Sequence, residues 1–170
     1  TVMTNIGFNR FCGENNLDFV ATKVGDRYVL EEMLKNDYNF GGEQSGHIIF
    51  RDYSTTGDGQ LTAVQLLNIL KNSDKKFSEL AGVMKKFPQV MLNVKVDNLK
   101  KLNFAVDEEV KNAIEKVSKE LELKNNGRIL VRASGTEPLI RVMLEGEDLT
   151  RITALANEIA NLVKKRLTEV

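Results

Sequence analysis

Two short loops in this 170-residue chain carry residue types that could recognise small polar ligands. The first, Gly41-Gly42-Glu43-Gln44-Ser45-Gly46-His47, sets three glycines beside a carboxylate, a hydroxyl and an imidazole. Glycines let backbone approach a ligand closely, and sugar hydroxyls need such a mixture of acceptor and donor groups. A turn between two strands, with Glu43 solvated and His47 packed, accounts for the same spacing without a ligand. The second loop, Arg132-Ala133-Ser134-Gly135-Thr136-Glu137-Pro138, offers a guanidinium, two hydroxyls and the amides around Gly135. That donor set suits phosphate: arginine binds it bidentately, and successive backbone N–H groups can curl around it. Glycine permits the curl and Pro138 fixes the exit, whereas a plain β-turn would need none of these donors.

Three smaller features stand beside them. Lys23-Val24-Gly25-Asp26-Arg27-Tyr28 is a glycine turn presenting charged side chains just before a helix; Asp26 and Arg27 are candidate ligand contacts, and Asp26 equally suits an N-cap. Asp52, Ser54, Thr56 and Gly57 fit the opening of a calcium loop, but the twelfth position is Ala63, or Gln65 in the shifted frame, so the bidentate carboxylate is missing. A turn capping the next helix is expected instead. His47 is the single histidine; it cannot build a hydrolase triad alone, and its catalytic use would be proton transfer.

Composition narrows the partners. Lys plus Arg and Asp plus Glu both number 24, so no net field draws a nucleic acid, and any anion site must be local. The lone Cys12 excludes an internal disulfide and suits a reducing compartment, with cytoplasm the simplest expectation. Thr1 to Arg10 do not read as an export signal and no apolar run reaches membrane length, so neither export nor membrane insertion is expected. The opening Thr1-Val2-Met3 reads as if cut inside a strand, as in a fragment.

The elements that must position the loops follow from periodicity. Helices are expected over Gly7 to Asn15, over Arg27 to Lys35 with Tyr28, Leu30, Met33 and Leu34 inward, and over Gln60 to Asn72 with Leu61, Val64, Leu67 and Leu70 inward. Short strands fall at Phe19 to Thr22, Tyr38 to Gly42 and His47 to Arg51, and a last short helix spans Ser78 to Lys85, capped by Ser78. Phe87-Pro88 breaks the pattern, which places a hinge there. Beyond it come a strand, Gln89 to Val96, with Val90, Leu92, Val94 and Val96 alternating, and a helix capped by Asp107 with Val110, Ala113, Ile114, Val117 and Leu121 on one stripe, stopped by Asn125-Asn126-Gly127. Strands Arg128 to Arg132 and Leu139 to Glu145 bracket the second loop, and a long helix closes the chain with Leu149, Ile152, Leu155, Ala156, Ile159, Leu162, Val163 and Leu167 in line. The order strand, helix, strand, strand, helix is that of a small α+β sandwich.

Taken together, Gly42-Glu43-Gln44-Ser45-Gly46-His47 and Ser134-Gly135-Thr136-Glu137-Pro138 resemble the paired sugar and phosphate loops of the α-D-phosphohexomutase family. Val24-Gly25-Asp26-Arg27-Tyr28-Val29, Thr56-Gly57-Asp58-Gly59, Thr1-Val2-Met3-Thr4-Asn5 and the run Gly135 to Met143 resemble its branch acting on glucosamine phosphates. The resemblance implies an α/β domain of α/β/α type over 1–86, the family's third domain with its first strand truncated. It implies a TATA-box-binding-protein-like α+β domain over 87–170, the fourth, with an antiparallel sheet and two helices. It also implies an isomerase that shifts phosphate between the 6- and 1-positions of a hexosamine through a phosphoserine and a 1,6-bisphosphate of glucosamine or glucose, for cell-wall precursor synthesis. Neither the family's nucleophilic serine setting nor its aspartate-rich magnesium loop occurs in this sequence, so the fragment alone is expected to be inactive.

On the same grounds Glu43, Ser45 and His47 would contact sugar hydroxyls, with Asp26 and Arg27 facing the cleft, and Arg132, Ser134, Gly135 and Thr136 would hold the non-transferring phosphate. Magnesium and the two preceding domains would be partners, and a homodimer of the full protein stays open. Ala133 departs from the family's usual proline, removing a fixed φ but none of the donors. A stand-alone phosphosugar-binding module, or a mutase for mannose or glucose phosphates, is the alternative.

Overall fold

A computed structural model describes residues 1–123 and 127–168. The chain divides into two compact units, Thr1–Lys86 and Phe87–Val170.

The first unit is organised around one helix on one hairpin. α1 spans Ile6–Glu14, its N-terminus capped by Asn5 Oδ1 accepting from Gly7 N–H at 3.1 Å. α2 spans Asp26–Asn36, and β1 (Phe40–Gly42) and β2 (Ile48–Phe50) form an antiparallel pair with Gly41 opposite Ile49. Val29 and Met33, one turn apart on α2, pack with Ile49, and Leu30 and Tyr38 flank them. Tyr28 and Leu34, expected inward, are exposed, because the hairpin meets the face one residue round from theirs. Arg51 ties the corner: its guanidinium donates to Met33 O at 3.3 Å, to Asn39 Oδ1 at 2.9 Å and to Asp37, the left-handed residue that ends α2.

Three expectations here are corrected. Phe19 to Thr22 is not a strand: Val2 N–H reaches Thr22 O at 2.8 Å, but Thr4 N–H folds back to Thr1 O, so no ladder continues. The segment is held by its side chain, Phe19 lying edge-on to Phe8 at 5.6 Å. α3 (Gly59–Lys71) forms and is capped by Asp58, which accepts from Gln60 and Leu61 N–H at 2.8 and 3.0 Å. Val64 and Leu67 nevertheless stay exposed, since among the described residues α3 packs on little beyond β2. α4 covers Phe77–Ala81 rather than running to Lys85; Ser78 lies inside it, and Glu79 reaches back to Lys76 N–H at 2.8 Å.

The second unit is a three-stranded antiparallel sheet, β3 (Gln89–Lys95), β5 (Leu139–Gly146) and β4 (Gly127–Ala133) in that order, covered on one face by helices. α5 (Asn98–Asn103), which the periodicity does not reveal, leads to α6 (Glu108–Leu123), and α7 (Leu149–Thr168) closes the unit. The inward residues of β3 and β5 (Val94, Ile140, Val142, Leu144) meet Val110, Val117 and Leu121 of α6 and Ile152, Leu155, Ile159 and Val163 of α7. Leu149, counted in that stripe, is exposed at the helix start. Asp107 caps α6 through Val110 N–H at 3.0 Å; that bond first, and Arg166 as well, holds its carboxyl below the usual range. The expected stop at Asn125-Asn126 lies outside the described residues. No helix among them is long and apolar enough to cross a membrane.

The opposite sheet face carries three cross-strand rows. Gln89, Glu145 and Arg128 form one, Met91, Met143 and Leu130 the next, Asn93, Arg141 and Arg132 the last. Glu145 is fully buried and accepts from Arg128 Nε at 2.7 Å and Gln89 Nε2 at 3.2 Å. Removing one member of such a pair leaves a charge out of water, while removing both does not. Arg128→Met should therefore cost ~3 kcal/mol in chemical denaturation, and the double variant Arg128→Met with Glu145→Leu should recover most of it. A double variant as unstable as the single one would contradict this.

Candidate functional site

The hairpin loop of the first unit is a tight turn closed by its own backbone. Glu43 N–H donates to His47 O at 2.9 Å, Gly46 N–H donates to Glu43 O at 3.0 Å, and Gly46 sits at φ +97°, a conformation open mainly to glycine. Glu43 turns inward: its side chain is 9% exposed, and one carboxylate oxygen accepts Gly25 N–H at 2.9 Å. Its other oxygen lies 3.8 Å from His47 Nδ1, which is also 3.3 Å from Ser45 Oγ. Ser45 and His47 are exposed. The glycine turn before α2 and the hairpin loop are thus joined by a charged hydrogen bond, Gly25 holding φ +129° to make it.

Asp26 and Arg27 fall differently. Gly25, not Asp26, is the N-cap; Asp26 is the first helical residue and accepts from Arg27 N–H at 2.8 Å. The Arg27 guanidinium lies on Glu31 at 2.8 Å along the exposed face of α2. That hydrogen bond raises its pKa.

In the loop between β4 and β5 of the second unit, the carbonyls of Ser134, Glu137 and Pro138 are tied and two amides are open. Ser134 is buried, with N–H on Leu139 O at 2.9 Å and Oγ accepting Glu137 N–H at 3.2 Å. Pro138 O accepts Val96 N–H at 3.0 Å. Gly135 and Thr136 are exposed, and their N–H groups have no protein acceptor among the described residues. Gly135 does not use the left-handed region, and a Cβ there would meet nothing within 4 Å, so neither strain nor packing requires glycine at that position.

Arg132 and Arg141 stand directly opposite each other on β4 and β5. Arg141 Nη2 donates to Glu137 at 2.6 Å, while its Nε is buried without a partner. Arg132 has no ion-pair partner among the described residues; burial first, and the like charge of Arg141 second, push its pKa down. The sequence reading missed Arg141. Its signal was available: residues flanking a loop by equal steps, here Arg132 and Arg141, pair across a hairpin.

Open amides beside two facing guanidiniums are donors of the kind that anions use. Comparison with known proteins gives the family. The family model for the phosphoglucomutase/phosphomannomutase alpha/beta/alpha domain III matches residues 1–87, and that for the C-terminal domain of the same family matches 91–162. The chain belongs to the phosphoglucomutase/phosphomannomutase family.

Among the relatives of this phosphohexomutase chain, a phosphoglucosamine mutase of Caldanaerobacter subterraneus subsp. tengcongensis is 55% identical over 98% of the chain. The chain spans 37% of that relative's length. Of solved structures, an Aspergillus fumigatus N-acetylphosphoglucosamine mutase superposes on 96% of the chain with a TM-score of 0.82 at 18% identity, covering 37% of that protein. The same fungal enzyme in complex with GlcNAc-6P and magnesium superposes with a TM-score of 0.70 at 16% identity over 96% of the chain and 40% of its own. These likenesses carry the fold of the family's third and fourth domains onto the two units. Among the described residues no group of three or more His, Cys, Asp and Glu side chains could hold a metal.

Gly41 is the glycine on which the first loop's placement depends. A Cβ on it would lie 2.5 Å from Met33 Sδ and 2.6 Å from Val29 Cγ1, inside the packing of α2 on the hairpin. Gly41→Ala should destabilise the chain by ~1–3 kcal/mol, the usual cost of overpacking, as read from urea midpoints. Gly135→Ala, pointing into open space, should change stability little; equal losses for the two would refute the assignment.

Proposed function

We propose that this chain is the substrate-gripping part of a phosphoglucosamine mutase, the whole of which interconverts glucosamine 6-phosphate and glucosamine 1-phosphate. The reacting serine and the magnesium ion would belong to parts of the protein outside these residues, with a glucosamine or glucose 1,6-bisphosphate as activator. Magnesium there would neutralise phosphate charge. The 55% identity to a phosphoglucosamine mutase supports this branch of the family over those acting on mannose or glucose phosphates. A cytoplasmic enzyme of amino-sugar metabolism is the corresponding setting.

The observation carrying the proposal is the facing pair Arg132 and Arg141 beside the open amides of Gly135 and Thr136. Their task is to hold the phosphate that is not being transferred. Such a clamp reads charge and tetrahedral shape, and so accepts a phosphate from either end of a sugar. Ser134 keeps the loop closed and has its hydroxyl proton left for the ligand. In the first unit, Glu43, Ser45 and His47 contact sugar hydroxyls: Glu43 with the oxygen not engaged by Gly25, Ser45 and His47 from the exposed turn. His47 is proposed as a contact group rather than as the reacting base. Positioning and charge neutralisation, not covalent work, are the share of both units in phosphoryl transfer.

Calorimetric titration with inorganic phosphate, glucosamine 6-phosphate and glucose 6-phosphate tests the division of labour. Arg132→Ala should weaken all three by roughly 1.5–3 kcal/mol, the scale of a charged hydrogen bond. Glu43→Ala should leave inorganic phosphate unaffected and narrow the preference between the sugars. Undiminished affinity in Arg132→Ala would remove the clamp.

A further inference from the structure

Lys101 has no part in the loops read from the sequence, yet its ammonium is committed to one of them. From α5 it donates to Ser134 O at 2.9 Å and to Glu137 O at 3.1 Å, the carbonyls at either end of the Gly135-Thr136 tip. Its charge has no carboxylate partner among the described residues; its hydrogen bonds go to peptide oxygens. We infer that Lys101 is a positioning residue for the anion loop, fixing the direction in which the Gly135 amide presents itself.

The reason lies in peptide geometry. In a trans peptide the C=O and the following N–H lie in one plane and point in opposite directions, and this chain has no cis bond among its described residues. Anchoring Ser134 C=O on Lys101 therefore turns Gly135 N–H to the side away from α5. The same ammonium, with Val96 N–H on Pro138 O, satisfies the loop's acceptors on one side. Carbonyl oxygens that would otherwise repel an anion are drawn off, and the amide dipoles are aligned before it arrives. That pre-ordering removes a cost that binding would otherwise carry. The positive charge of Lys101 adds to the local potential without itself being an anion ligand, since its donors already have acceptors.

The inference rests on the anion reading of the loop and is tested separately from it. In the chain labelled with ¹³C and ¹⁵N, inorganic phosphate should shift the Gly135 and Thr136 amides, and through-hydrogen-bond coupling should link Lys101 Nζ to the Ser134 and Glu137 carbonyl carbons. Lys101→Met should lower phosphate affinity roughly tenfold, the scale of one lost charged hydrogen bond. It should also speed hydrogen exchange at Gly135 and leave the melting temperature close to wild type. Lys101→Arg should restore most of the affinity. If the wild-type amides ignore phosphate, the anion reading falls and this role with it. If they respond while Lys101→Met binds as tightly, with Gly135 exchange unchanged, only the positioning role is lost. Should Lys101→Met not fold, absence of the Nζ coupling in the wild type overturns the inference instead.

Discussion

Two arginines facing each other across adjacent antiparallel strands impose the central constraint on this molecule. Like charges directly opposite on a sheet repel, and a guanidinium cannot escape by losing its proton. Arg141 is relieved by Glu137, but half-buried Arg132 is not, and its depressed pKa expresses both its burial and its neighbour. An arrangement that costs stability when empty is explained if an anion completes it. The rest of the second unit supplies the rigidity: a central strand walled by α6 and α7, and a buried Glu145 held from both sides by Gln89 and Arg128.

The two loops solve their local problems in contrasting ways. The hairpin loop is ordered from within, by a turn that requires Gly46 and a carboxylate that borrows an amide from a neighbouring turn. The anion loop is ordered from outside, its oxygens engaged by Lys101 and Val96 so that its amides remain available. The first arrangement leaves exposed hydroxyl and imidazole groups suited to a sugar; the second leaves two amides available, groups suited to phosphate.

How much of this was legible beforehand depended on the range of the forces involved. The stripe from Ile152 to Leu167 on α7 and the alternation in β3 are buried largely as their periodicity foretold, because burial pattern and local structure coincide there. Phe19 to Thr22 misled because strand propensity cannot supply a pairing partner, and α3 because an amphipathic stripe does not say what it packs on. Arg132, Gly135 and Thr136 were visible as a motif. Lys101 was not, since it acts on backbone more than thirty residues away, and Arg141 could be found only by counting strand register outward from the loop.

Thermal stability with and without phosphate, at low ionic strength, tests the central constraint most directly, with Arg132→Met as the variant that keeps the apolar stem and removes the charge. The account predicts that the phosphate-free variant melts at or above the wild-type temperature, while the phosphate-dependent rise of the wild type, ~2.7 kcal/mol at a hundredfold excess over Kd, is lost. A variant less stable than wild type without phosphate, yet gaining as much when phosphate is added, would contradict it.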